Sequence, residues 1–417
     1  MTEGPKDQGT EGPRDRFMDE KPRPTFRRNL LVKGGDVFMP GHVPEVKKIV
    51  ILDGKFVHVG PDEPVRGESE CRELDASGML VVPGFIDMHV HGGGGKSVTD
   101  ATPDAILEIA RVHSMFGTTA LVPTIISSPP EKMHATLLAI RGAAGSEGGE
   151  AILGAHLEGP WLNPEKAGAH RVEHIKRPDI GFAKELVSEY GDVIRMVTIA
   201  PELPGALEII ELLADNNIVV SIGHTAATYD KTMAGFAAGA SGVTHIFNAM
   251  AQLHHRNPGP LGATFDNAHA TVELIADGHH VSPWTIAFLI KIHGSWNVAL
   301  VTDSLSPTGT ARKLFQVGET TFIEIRDGGA FTEDGQVYGS VLTMAAAVRN
   351  IRSFTELQLE DVIPMATSIP AVHLKRDETL GGISEGRLGN LVLFDRKLEV
   401  YATVIQGKLV YRRLDNA

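Results

Sequence analysis

Eight short apolar runs, separated by segments with helical spacing, constrain the fold of this chain more than any other feature. The runs are Val81–Met88, Thr118–Thr124, Ala151–Leu157, Ile194–Ile199, Ile218–Ile222, Gly242–Ile246, Thr271–Ile275 and Val298–Thr302. Between them lie helix-like segments such as Pro103–Phe116, Gly205–Asn216 and Thr228–Gly239. Apolar strands that alternate with helices indicate a parallel sheet covered on both faces. Eight such units predict a closed (β/α)₈ barrel.

The two ends of the chain have a different pattern from the middle. Short β-like segments, separated by Gly, Pro or Asp, occupy residues 29–80 and recur over residues 390–411. Two half-sets of strands at opposite ends of a chain suggest one small domain built from both. The predicted division is a disordered tail at 1–28, a β-sandwich made from 29–83 and 379–417, and a metal-dependent barrel at 84–378.

Composition excludes several classes of function. The chain has 39 Lys and Arg against 52 Asp and Glu, a net charge of −13, which argues against binding nucleic acid or a membrane surface. No run of about 18 apolar residues predicts a transmembrane helix, and the polar N-terminus does not resemble a secretory signal. The single cysteine, Cys71, excludes an internal disulfide framework. We therefore expect a cytoplasmic globular protein.

Histidines and carboxylates follow the predicted barrel strands, at the end where such barrels carry their functional side chains. They are His89 and His91 on strand 1, Glu158 on strand 3, His224 on strand 5, His245 on strand 6, His280 on strand 7 and Asp303 on strand 8. His89 and His91 are two residues apart on a strand, so their side chains point to the same side. Imidazoles and carboxylates with open positions for water describe a catalytic divalent metal site, with zinc or iron favoured.

The ordered set of His-x-His, Glu, His, His and Asp resembles the amidohydrolase superfamily. Longer strings resemble the N-acetylglucosamine-6-phosphate deacetylase family: PGFIDMHVHGG, LEGPWLNPEKAGAH, GHTAATYD, THIFNAM, HHRNPGPLG, ELIADGHH, LVTDSLSPTG and LGNLVLFD. The resemblance runs from about Leu31 to Tyr411 and implies metal-dependent hydrolysis of an N-acetyl group on a phosphorylated amino sugar. Strand 4 ends in Thr198–Glu202, without the metal-bridging lysine of hydantoinases and dihydroorotases, and this argues against those activities.

The resemblance also implies roles for particular residues. Glu158, His224 and His245 correspond to the family's metal ligands. Asp303 corresponds to the catalytic carboxylate, which takes a proton from the metal-bound water and gives it to the departing amine. His170 corresponds to the histidine that helps polarise the acetyl carbonyl.

Other matched positions are expected to bind the substrate. They are Ala169, Asn248, Ala249, Arg256, His280, Val337, Tyr338 and Gly339. Arg256 is the expected phosphate ligand, because a guanidinium can make two parallel hydrogen bonds to it. In the family this arginine often reaches into a neighbouring subunit's site, which implies a homodimer. Tyr338 differs from the serine that the family pattern would place there.

The number of metal ions depends on strand 1. Some family members have Gln-x-Asn where this chain has His89-Val90-His91, and they are expected to hold one ion. Imidazoles are good zinc ligands, so we predict capacity for two ions per chain, with the His224/His245 site the tighter and occupancy of one or two. One ion would take His89, His91, Glu158 and Asp303, and the other Glu158, His224 and His245.

Two alternatives remain open. The first is the galactosamine epimer as substrate, since the residues do not resolve one inverted hydroxyl. The second is a non-catalytic relative that keeps the barrel as a binding scaffold, but such relatives usually lose metal ligands, and here all are present.

Overall fold

The computed structural model of the chain describes residues 28–39, 42–317 and 321–414. The predicted tail lies, apart from Arg28, outside these residues. The strands, in chain order, are β1 Leu30–Met39, β2 His42–Leu52, β3 Lys55–Gly60, β4 Arg72–Asp75, β5 Leu80–Pro83, β6 Phe85–Val90, β7 Gly92–Gly93, β8 Lys96–Ser97, β9 Thr118–Ile126, β10 Ala155–Glu158, β11 Ile194–Ile199, β12 Val219–Ile222, β13 Gly242–Val243, β14 Thr271–Ile275, β15 Val298–Val301, β16 Leu314–Val317, β17 Thr321–Arg326, β18 Gly329–Thr332, β19 Val337–Ser340, β20 Leu391–Phe394, β21 Val400–Ile405 and β22 Lys408–Arg412. The α-helices are α1 Pro103–Ser114, α2 Pro130–Ala144, α3 Ile180–Tyr190, α4 Ala206–Asp215, α5 Tyr229–Ala237, α6 Gly259–Asp266, α7 Pro283–His293, α8 Met344–Phe354, α9 Leu359–Ala366 and α10 Ser368–His373.

The central part of the chain forms the predicted eight-stranded parallel barrel. Its strand order is β6-β9-β10-β11-β12-β13-β14-β15. Contacts between the first and last strands complete the ring: the Asp303 N–H donates to the His89 carbonyl at 2.8 Å, and the Thr302 hydroxyl donates to Asp87 Oδ2 at 2.6 Å. The barrel prediction is confirmed, and the C-terminal strand ends therefore meet at one face.

Several barrel helices begin at a side chain that caps their free N–H groups. The capping side chains are Thr102 for α1, Asp179 for α3, Thr228 for α5, Ser282 for α7 and Thr343 for α8. Each such cap stabilises a helix by about 1 kcal/mol. The caps fix where each loop ends, and so the length of the loops above the strand ends.

The first apolar run, Val81–Met88, is not one strand. It divides at Gly84 into β5, which joins the terminal sheet, and β6, which joins the barrel. A Cβ on Gly84 would lie 2.1 Å from Thr119 Oγ1, so only glycine allows the chain to pass between the two sheets here. An unbroken apolar run carries no sign of this division.

Both ends of the chain contribute to a second sheet, as predicted. The strand order is β22-β21-β20-β5-β1-β2-β3, with β4 beside β1. The strands expected to form a sandwich are thus joined in one continuous hydrogen-bonded sheet. Strand β20 is buried on both faces: Leu391 and Leu393 pack into the core of this sheet, and Val392 and Phe394 pack into the barrel core.

An antiparallel sheet of four strands, β16 to β19, lies between β15 and α8 and was not predicted. Its strands follow one another as hairpins. The last strand returns to the barrel, where the Ser340 N–H donates to the Asp303 carbonyl at 3.0 Å. This insertion, residues 314–340, therefore ends beside a predicted catalytic residue. No helix in the described part of the chain is long and apolar enough to cross a membrane.

Candidate metal centre and active site

Six predicted site residues converge at the C-terminal face of the barrel, and we refer to them as the donor ring. Its members are His89 in β6, His91 after it, Glu158 at the end of β10, His224 after β12, His245 after β13 and Asp303 after β15. Three of them have a left-handed backbone, with φ of +47° at His224, +26° at His245 and +47° at Asp303. Such conformations cost about 1–3 kcal/mol each and concentrate at functional sites.

One half of the donor ring is formed by the strand 1 histidines and Asp303. The Nε2 atoms of His89 and His91 lie 3.1 Å apart. Asp303 Oδ1 is 3.2 Å from His91 Nε2 and 3.6 Å from His89 Nε2. Two imidazole nitrogens and one carboxylate oxygen thus face a common point.

The other half is centred on Glu158. Its Oε1 lies 3.0 Å from His224 Nε2 and 3.1 Å from His245 Nε2, and those two nitrogens are 3.1 Å apart. Its second oxygen, Oε2, lies 3.3 Å from His91 Nε2. Glu158 therefore contacts both halves of the ring with different oxygens, as a bridging carboxylate would.

In His89 and His224, a hydrogen bond at Nδ1 determines which imidazole nitrogen faces the site. His89 Nδ1 lies 3.0 Å from Glu273 Oε2, and His224 Nδ1 lies 2.7 Å from the Lys166 carbonyl. Both acceptors require an N–H on Nδ1. The Nε2 lone pairs are therefore directed toward the centre of the donor ring. This is the arrangement found in metal-ligating histidines.

The electrostatics of the ring favour a cation. Burial opposes ionisation of Glu158, but the surrounding imidazoles outweigh it and hold its pKa well below the usual range. Burial likewise opposes a charge on His91, yet Asp303 and Glu158 raise its pKa to about 9. The field that would hold a proton on His91 is the field that attracts a divalent cation. Chemistry and placement of the donors thus fit a metal ion in each half.

His170 supplies a hydrogen-bond donor beside the ring. Its Nδ1 accepts the backbone N–H of Ser127 at 3.2 Å, so the proton of the neutral ring is on Nε2. Burial lowers the pKa of His170 to about 4 and keeps the ring neutral. Nε2 is 3.2 Å from Glu158 Oε2 but lies off the hydrogen-bonding direction and has no partner. This N–H is available to an oxygen of a substrate.

A cavity of about 350 Å³ opens above the donor ring. Its remaining lining, here called the substrate wall, includes Ala169, His170, Asn248, Ala249, His280, Thr332, Gln336, Val337, Tyr338 and Gly339. His89 lies buried beneath the cavity floor and does not line it. Asp277 orients His280, because its Oδ2 is 2.6 Å from His280 Nδ1.

Arg256 is the predicted substrate ligand that the structure does not bring to the cavity. It is exposed, in a turn between His254 and Asn257, and does not line the space above the ring. Among the described residues that line the cavity, none is a lysine or an arginine.

Sequence reasoning missed several residues near the site. They include Ser97, Thr99, Thr124 and Leu305, which line the cavity, and Glu273, Thr332 and Gln336. Glu273 is buried in β14 against His89, and the available signal was a single acidic residue inside the apolar segment TVELI. Thr332 and Gln336 belong to the insertion. Thr332 ends β18 and Gln336 precedes β19, and strands of four residues are too short for an alternating pattern to predict them.

A parallel barrel with histidine and carboxylate donors at its strand ends defines the metal-dependent hydrolases of the amidohydrolase type. Residues 80–410 match the amidohydrolase family, and the chain belongs to it. It is 37% identical to the N-acetylgalactosamine-6-phosphate deacetylase of Escherichia coli O157:H7, with 86% of this chain and 93% of that one aligned. It is 35% identical to the N-acetylglucosamine-6-phosphate deacetylase of Vibrio furnissii, over 84% and 87% of the two chains.

A solved structure resembles the whole described fold. It is a point mutant of N-acetyl-D-glucosamine-6-phosphate deacetylase from Mycobacterium smegmatis, with alanine in place of an aspartate, in complex with N-acetyl-D-glucosamine-6-phosphate. The TM-score is 0.83 at 33% identity, with 92% of this chain and 99% of that one covered. The family resemblance drawn from the motifs is confirmed.

Proposed function

We propose that this enzyme hydrolyses the N-acetyl group of N-acetylglucosamine 6-phosphate, giving glucosamine 6-phosphate and acetate. The observation that supports it most is the contact of Glu158 with both imidazole pairs, beside Asp303 and the free N–H of His170. The names of the relatives identify the substrate class.

The donor ring would hold one or two divalent ions, with zinc or iron favoured by the nitrogen and oxygen donors. Such an ion supplies two effects when bound: it lowers the pKa of water and polarises a carbonyl oxygen. His89, His91, Glu158 and Asp303 would hold one ion, and Glu158, His224 and His245 the other. The remaining steps belong to side chains of this chain.

Asp303 is placed to move the proton. Burial opposes its charge, but His89 and His91 outweigh it and hold its pKa far below the usual value, so it is ionised at neutral pH. As a carboxylate it accepts a proton from the attacking water, whose oxygen bonds to the acetyl carbon. The same proton then passes to the sugar nitrogen as the C–N bond breaks, which releases the amine and leaves acetate.

His170 is placed to stabilise the carbonyl oxygen during this step. Its neutral ring donates from Nε2, and the Ser127 N–H fixes that tautomer. A donor positioned in advance and shielded from water is worth about 10²–10³ in rate. Gly168 approaches His224 so closely that an added Cβ would lie 3.2 Å from its Cε1, so a side chain at this position would crowd the His224 imidazole.

The phosphate needs a cation that the cavity does not contain among its described lining residues. We propose that Arg256 supplies it to the cavity of a second copy, since it is exposed and lies outside its own. A homodimer with two shared sites would follow. Because a charged sugar phosphate does not cross membranes unaided, we place the enzyme in the cytoplasm.

A second candidate substrate is N-acetylgalactosamine 6-phosphate. It is favoured by the 37% identity to a deacetylase of that name. The two substrates differ in one hydroxyl, so the donor ring would act on either.

An acetate-release assay tests the proposal. Protein freed of metal and then restored with zinc or iron is given both phosphorylated sugars and both unphosphorylated ones. We expect activity only after metal restoration, with a strong preference for a phosphorylated sugar. Activity that survives metal removal, or is indifferent to the phosphate, would contradict the proposal; a preference for the galactosamine epimer would select the second candidate.

A further inference from the structure

Glu273 is a buried carboxylate to which the proposed reaction assigns no step. It lies in β14 and is 1% exposed. Its Oε2 is 3.0 Å from His89 Nδ1 and 3.2 Å from the backbone N of His245. One oxygen therefore contacts a member of each half of the donor ring.

A carboxylate in this position is costly unless its contacts compensate. Taking an ionised group from water into a protein interior carries a penalty of several kcal/mol. The two hydrogen bonds that Glu273 accepts both come from donor-ring residues, and its other oxygen, Oε1, has no hydrogen-bond partner. The compensation comes from the metal-binding residues themselves.

The neighbouring histidine does not provide the same support. The ring of His156 lies 4.8 Å from that of His89, edge to face. Both of its nitrogens face hydroxyls, Nδ1 at 3.3 Å from Thr124 Oγ1 and Nε2 at 2.8 Å from Thr198 Oγ1. His156 thus packs on His89 without fixing which nitrogen carries the proton.

We propose that Glu273 is a positioning residue that orients both halves of the metal centre. It holds His89 as the Nδ1–H tautomer, which directs the Nε2 lone pair into the ring. It also holds the His245 backbone, whose φ of +26° is unfavourable without such a contact. The inference rests on the proposed function for the presence of a metal, and concerns affinity for that metal and not the deacetylation itself.

Zinc affinity without substrate is the direct test. Competition with a chelating dye is measured for wild type, Glu273→Gln and Glu273→Ala. Removing an outer hydrogen-bond partner of a ligand weakens metal binding about 10- to 100-fold, and we expect that loss in Glu273→Ala. Glu273→Gln keeps the shape and one acceptor oxygen, so its loss should be smaller.

Thr198→Val is the matched control, because it removes a buried polar group of the same barrel that contacts His156 and Thr244. It should lower thermal stability and leave zinc affinity unchanged. Zinc affinity within about twofold of wild type in both Glu273 variants, or an equal loss in Thr198→Val, would overturn the proposal.

The tautomer gives a readout that needs no metal. In zinc-free protein at alkaline pH, where the His89 ring is neutral, ¹⁵N NMR should show His89 protonated at Nδ1 in wild type and a mixture of tautomers in Glu273→Gln. An unchanged spectrum would overturn the positioning role even if Glu273→Ala does not fold. Tight zinc binding by a wild type that releases no acetate would instead reject the proposed function and leave this inference standing.

Discussion

The donor ring and the substrate wall share one cavity but are built from different parts of the fold. The donor-ring residues follow barrel strands, and their side chains are little exposed, as at Glu158 with 4% and at Asp303 with 14% exposure. Much of the wall comes from the insertion and from loops, and Val337 is 38% exposed. The strand ends fix geometry for chemistry, whereas the wall can vary with the substrate without moving the ring.

This difference predicts that substitutions in the donor ring reduce kcat, whereas substitutions in the substrate wall raise KM. The strongest test is Asp303→Asn. The amide cannot accept the water proton, and general acid–base catalysis alone is worth about 10²–10⁴, so kcat should fall by several orders of magnitude. The ion expected at Glu158, His224 and His245 should stay bound, because Asp303 is not among its ligands. A variant with more than about a tenth of the wild-type kcat would remove Asp303 from this role.

His170→Asn tests the boundary between the two regions, because His170 lines the cavity and packs 4.5 Å from the His224 ring. The shorter Asn side chain cannot place an N–H at the position of His170 Nε2, so kcat should fall about 10²–10³-fold with KM little changed. His293→Asn, which removes a buried histidine bonded to the Ala270 carbonyl, is the control for lost stability. If KM rises and kcat holds, His170 binds the substrate and takes no part in the chemical step.

Arg256→Ala tests whether a second copy of the chain supplies the phosphate ligand of the substrate wall. A charge-assisted hydrogen bond is worth about 1.5–3 kcal/mol, so kcat/KM for the phosphorylated sugar should drop roughly 10- to 100-fold. The unphosphorylated sugar should be unaffected, as should both substrates in Arg352→Ala, another exposed arginine. Equal losses for the two sugars would mean that Arg256 does not contact the phosphate.

The smallest expected effect comes from a variant that removes one of the two metal sites of the donor ring. A His89→Gln, His91→Asn double variant should lower the metal content of the restored protein from about two ions per chain to about one, because neutral amides are poor zinc ligands. His224 and His245 should keep their ion. Elemental analysis giving one ion per chain in both proteins would show that the strand 1 site is not used.

The same comparison explains which features the sequence could predict. Apolar strands have a recognisable length and spacing, so the barrel and the residues at its strand ends could be predicted together from the sequence alone. His89, Glu158 and Asp303 were found in this way. Their roles stay predictions until the variants are measured.

The parts that were missed depend on contacts that spacing does not encode. In the insertion, Phe315 and Ile323 are buried between exposed neighbours such as Phe322, but strands of four to six residues are too short for this alternation to predict a sheet. In the sequence, Glu273 is a single charged residue inside an apolar strand. Its role becomes visible only in the structure, where it contacts His89. The division at Gly84 follows from the close approach of Thr119, which is a tertiary contact.

The strand pairing of β5 with β20 has a consequence for how the protein is made. Pro83 pairs with Leu391, roughly 300 residues later in the chain. The ribosome must therefore synthesise nearly all of the barrel before β5 can pair with β20 in the terminal sheet. During synthesis β1 to β5 lack that partner, so part of their apolar surface stays uncovered until the C-terminal strands are made.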